Sequence, residues 1–97
     1  MFTFKGRLWL YSGDSPWHFI TLPVDVADAI DDAAGSARRG FGSLRVGVTV
    51  GATSWNTSIF PDKKAGSFVL PVKKQVRAAE GLVEGDESAV AIRLLDV

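Results

Sequence analysis

The chain has no cysteine, a single histidine (His18), and no apolar run near the ~20 residues that a membrane-spanning helix requires. The missing thiols exclude a disulfide framework, a thiolate metal site and thiol chemistry. One imidazole excludes a multi-histidine metal site within one chain. An excess of one charge is also missing, because eleven Lys and Arg face eleven Asp and Glu and the formal net charge is zero. That argues against a polyanion binder working by bulk charge, while leaving room for a local basic patch. Met1-Phe2-Thr3-Phe4-Lys5 lacks the apolar core and cleavage pattern of a secretory signal, so the expected compartment is the cytoplasm. No cofactor motif is complete.

What is present is an ordinary globular composition, 46% hydrophobic and 23% charged over 97 residues and 10.4 kDa. A chain of this size buries roughly two-thirds of its unfolded surface, enough for one core, so residues 1–97 are read as one domain. Glycine punctuates the chain between periodic segments. Phe2, Phe4, Leu8 and Leu10 alternate with Thr3, Lys5, Arg7 and Trp9, a strand period. Tyr11 to Pro16 is a turn by composition, and Trp17 to Leu22 is a second strand stopped by Pro23. Asp25 to Ala34 reads as a short amphipathic helix, with Val26, Ala29, Ile30 and Ala33 expected inward. Leu44, Val46, Val48 and Val50 mark the clearest strand, and Gly51-Ala52 turns it into a hairpin with Thr53 to Phe60. After the polar loop 61–66, Ser67 to Leu70 forms a strand and Val72 to Glu80 a helix, with Val72, Val76 and Ala79 expected inward. Val90, Ile92 and Leu94 alternate through the last strand.

An internal repeat lies in this pattern, about 17–50 and 66–96. Leu22-Pro23-Val24 and Leu70-Pro71-Val72 each end a strand and open a helix. Proline removes a ladder donor and presets φ for a first helical turn, so it switches strand to helix at one residue. Neither copy can bury its apolar face alone, so the two should pack together. The order β-β-α-β-β-β-α-β suits a small pseudo-twofold β-barrel with two short helices at its ends. A ferredoxin-like α+β sandwich is the alternative. The helices are too short to cover a four-stranded sheet, which favours the barrel.

Three stretches carry a resemblance: Arg39 to Val46, Thr53 to Lys63, and Leu70-Pro71-Val72-Lys73-Lys74-Gln75-Val76-Arg77 followed by Glu80-Gly81-Leu82 and Gly85-Asp86. Together with Phe2 to Leu10 and Trp17-His18-Phe19, they resemble the bacterial family known as domain of unknown function 1905. The resemblance implies a small β-barrel and no assigned activity. Pro71 to Asp86 is also similar to the half-barrel of swapped-hairpin transition-state regulators and antitoxins, which bind DNA as dimers. The first copy lacks their Arg and Gly-Leu and carries Asp25, Asp28, Asp31 and Asp32, which would repel phosphate.

Arg38-Arg39-Gly40-Phe41-Gly42 opens like an RNA-stacking motif, but Ser43 and Val46 stand where further aromatics are needed, so it reads as a turn feeding the next strand. Gly35 and Gly40 have the outer spacing of a phosphate loop without its Lys and Ser/Thr. Trp55, Thr57 and Ile59 share one strand face, suited either to a small-molecule pocket or to the barrel interior. Lys63, Lys64, Lys73, Lys74 and Arg77 form the one concentrated basic set and flank the same short strand. The preferred function is therefore a non-enzymatic ligand- or protein-binding module, with Arg39, Trp55, Thr57 and these five cations as candidate contacts. The sequence does not identify its partner; a protein or a second copy of the chain is a candidate, a membrane is not expected, and the charge balance and acidic first helix argue against nucleic acid. The alternatives are a small hydrolase or isomerase site around Trp17, His18, Arg39 and Trp55, and a DNA-binding regulator related to the antitoxins.

Overall fold

Six stretches of alternating side chains become strands: β1 (Phe2–Tyr11), β2 (Trp17–Thr21), β3 (Leu44–Val50), β4 (Thr53–Asp62), β5 (Ser67–Pro71) and β6 (Glu87–Leu94). Helix α1 (Val24–Ala34) follows β2, and α2 (Lys74–Glu80) follows β5. The computed structural model describes residues 1–14, 16–35 and 42–95. All pairings are antiparallel and close into one barrel in the order β1-β2-β5-β4-β3-β6. The expected element order is recovered. The ferredoxin-like sandwich is not, because each strand finds partners on both sides and no open four-stranded sheet remains.

The ladder register is twofold-symmetric. Exchanging β1, β2 and β3 with β4, β5 and β6 carries the strand order onto itself and many of the observed pairs onto one another. Leu8 faces Ile20 as Pro61 faces Phe68. Phe4 faces Val90 as Thr57 faces Val46. The rotation passes through the Thr21–Val69 and Val48–Ile92 pairs, on opposite walls of the barrel. Since β2 and β5 are antiparallel, α1 leaves one end of this ladder and α2 the other.

The two proline switches act differently. Pro23 (φ −57°, ψ 146°) is followed at once by α1, and its carbonyl accepts from Ala27 N–H at 2.9 Å. Pro71 is still in β5, and Val72 N–H donates to His18 O at 2.9 Å, so the sheet continues past it. Lys73 is extended, and the second helix starts at Lys74 rather than at the expected Val72. The helix faces are also shifted. α1 buries Ala27, Ile30 and Ala34, with Val26 partly covered, whereas Ala29 and Ala33 are exposed. In α2 Val76 is buried and Ala79 exposed. Alanine fits either side of a helix, so spacing alone chose the wrong stripe.

The interior is apolar and closed to solvent. Leu8, Ile20, Leu22, Ile30, Val46, Val48, Val50, Ile59, Leu70, Val76, Val90 and Ile92 are each at most 2% exposed. Gly6 is buried among them, and a Cβ there would collide with Cγ2 of Ile20. Among the described residues no helix is long and apolar enough to cross a membrane.

Candidate functional site

Alternate residues of these strands fill the core, so their neighbours must face outward. On one wall those outward residues are unusually aromatic. The β1–β2 hairpin sets Trp9 opposite Phe19 and Tyr11 opposite Trp17. The next strands add Pro71 opposite Phe19 and Val69 opposite both Thr21 and Phe60. Trp17 and Phe19 stack at 6.0 Å with 7° between their planes, and Trp9 tilts against Phe19 at 5.3 Å. Trp9 is fixed by its indole N–H, which donates to Thr21 Oγ1 at 2.9 Å. Tyr11 and Trp17 are both 53% exposed and Phe60 45%.

Between these rings lies an open cleft of about 450 Å³, lined by Tyr11, Trp17, Phe19, Phe60, Val69 and Pro71. Its wall is almost wholly carbon. Among the described residues, neither the Trp17 indole N–H nor the Tyr11 hydroxyl has a hydrogen-bond partner. A second hollow of about 230 Å³ shares Trp17 and Pro71 with the first and continues along Trp55, Asn56, Thr57, Val72 and Lys73. The two form one surface with an apolar middle and a polar, cationic end.

Of the expected contacts, Trp55, Thr57 and Lys73 are brought together in this second hollow. Trp55 also packs against the core. The basic set is not gathered into one patch. Lys63 lines a separate hollow beside Asp28, Asp31 and Asp62, and the Lys64 backbone N–H donates to Asp62 Oδ1 at 3.1 Å. Lys74 and Arg77 border a depression with Gly81, Leu82 and Val83, and Arg77 Nε donates to the Val72 carbonyl at 3.2 Å. The physical reason is the strand between them: five residues of β5, at ~3.3 Å each, hold the two groups roughly 17 Å apart. Arg39, with the turn 36–41, lies outside the described residues.

The hydrolase or isomerase constellation is split. Trp17 and Trp55 share a hollow, but His18 follows Trp17 in an extended strand and points to the other face of the sheet. Among the described residues no group of three or more His, Asp or Glu is placed to hold a metal ion, and every buried side-chain nitrogen or oxygen has a hydrogen-bond partner. Ser67, for example, is buried and donates to the Leu22 carbonyl at 2.7 Å.

A family model described as Domain of unknown function (DUF1905) matches residues 4–92, all but the first three and last five residues. The chain belongs to the DUF1905 family. The match runs from β1 into β6, so the DUF1905 unit is the whole barrel with both helices. No curated protein is recognisably similar to the chain. The main surface feature of this DUF1905 domain, the Tyr11–Trp17–Phe19–Phe60 wall, is missing from the sequence-derived contacts. The signal was available: Trp9, Tyr11, Trp17 and Phe19 are all odd-numbered and flank one turn, so a hairpin reading places them on one face.

Proposed function

We propose that this DUF1905 domain is a non-enzymatic binding module that captures its ligand or partner on the aromatic outer wall of β1, β2, β5 and β4. One observation carries the reading. Three large aromatic side chains stay about half exposed around an apolar cleft, on strands whose opposite faces already fill the core. Rings in that position add little to the fold and expose carbon to water, and contiguous exposed apolar patches on small domains mark interaction sites. The pleat fixes their spacing, so the wall is formed before anything binds.

The test is a titration of the isotope-labelled protein with a panel of small planar aromatic and aliphatic fragments, followed by amide chemical shifts. Saturable shifts should cluster at Tyr11, Trp17, Phe19 and Phe60, and should vanish in Trp17→Ser while surviving in Lys74→Ala. Shifts scattered over the barrel, or persisting in a Trp17→Ser/Phe60→Ser variant, would refute the assignment.

A further inference from the structure

We infer that the occupant of the aromatic wall is an extended proline-rich segment of a partner protein, with a carboxylate at the end that reaches Lys73. This rests on the wall being the binding surface, and it adds the chemistry of the partner. The wall offers carbon and two hydrogen-bonding tips, the Trp17 indole N–H and the Tyr11 hydroxyl, both without partners among the described residues. An ordinary extended peptide laid across it would press its own backbone N–H groups against carbon, and an unmet N–H is costly. Proline has no N–H. A polyproline helix therefore presents only carbonyl acceptors and ring carbon, the complement of this surface, and it needs no neighbouring strand to satisfy it.

Shape and rigidity agree with that partner. The two hollows run together through Trp17 and Pro71, giving a track rather than a closed pocket. The Trp9–Thr21 hydrogen bond and the Trp17–Phe19 stack hold the rings in place, so little side-chain freedom is lost on binding. Charge sets the polarity. Lys73 is exposed at one end of the track, next to Lys74, and has no ion-pair partner among the described residues. The residues that line the apolar hollow, Tyr11 and Phe60 among them, carry no charge.

The experiment titrates the full chain with decaproline, with decaproline bearing two aspartates at its N- or C-terminus, and with a Gly-Ser peptide of equal length. Decaproline should give saturable shifts at Tyr11, Trp17 and Phe60, and the Gly-Ser peptide none. Trp17→Ala should weaken binding roughly tenfold or more, as truncation of a central aromatic contact does. Trp17→Phe should fall between, since it keeps a ring and loses the N–H. One aspartate orientation should bind about two- to fivefold tighter than plain decaproline, the range of an exposed ion pair, and Lys73→Ala should remove only that gain. Unchanged β3 and β6 amide shifts certify the fold of each variant, and Phe60→Ser replaces Trp17→Ala if the latter unfolds. If fragments shift the wall but decaproline binds no better than the Gly-Ser peptide, the proline assignment fails and the binding surface stands. If neither fragments nor peptides shift it, both fail. Self-association that Trp17→Ala abolishes would assign the wall to a second copy and overturn the inference.

Discussion

Replacing Gly6 with alanine adds one methyl group inside the barrel wall, where Ile20 Cγ2 already occupies the space and Phe4 Cε2 lies 3.2 Å away. Ile20 cannot retreat. It is fully buried and held in register by Leu8 on one side and Leu70 on the other. Forcing an extra methyl group into a packed core costs about 1–3 kcal/mol. The lower entropy of alanine in the unfolded chain offsets about 0.4–1 kcal/mol of that. Gly6→Ala should therefore lose about 1–2 kcal/mol, which lowers the melting temperature of a domain this size by roughly 5–15 °C. Ile20→Ala alone should cost about 2–5 kcal/mol by opening a cavity. In the double variant the new methyl group enters the vacated space, so its loss should fall short of the sum by about 1 kcal/mol. Urea unfolding of the four proteins, followed by circular dichroism, measures that coupling. Additive losses, or a Gly6→Ala protein as stable as the parent, would refute the claim that glycine is there to admit Ile20.

Thr21→Val removes the acceptor of the Trp9 indole N–H and should cost about 1 kcal/mol in the same assay, with a change in tryptophan fluorescence; no change in either would show that the bond does not hold Trp9. We propose that the two β-β-α-β halves are copies of one ancestral half-barrel. Cutting between Gly51 and Ala52 should then give two fragments, 1–51 and 52–97, each unfolded alone because each keeps one strand pairing of its own and loses the other four. Mixed, they should recover the native amide spectrum. A fragment that folds as a monomer, or a mixture that stays unfolded, would count against independent, complementary halves.

The alternation of Leu44 to Val50 and the Gly51-Ala52 turn made the central hairpin legible, and the paired Leu-Pro-Val triplets located both helices after their strands. What stayed hidden was set by pairing. Trp17 to Leu22 is apolar on both faces, so period two could not say whether Ile20 or Phe19 points inward. Only the register, with Ile20 between Leu8 and Leu70, decides it. The alanine-rich α1 was ambiguous for the same reason, since Ala29 and Ala27 fit a helical stripe equally well until the barrel mouth selects one. The basic residues looked adjacent because they flank one strand in sequence, but a strand holds its two ends apart in space.

A barrel whose inward positions are taken by buried apolar side chains presents only its outward positions to its surroundings. Because each strand dedicates one set of alternate positions to the interior, the other set can be rewritten without disturbing what holds the molecule together. Changing Tyr11, Trp17 or Phe60 is thus a change of vocabulary rather than of grammar. The outer positions of this small, cysteine-free domain are open to change while its interior stays constant.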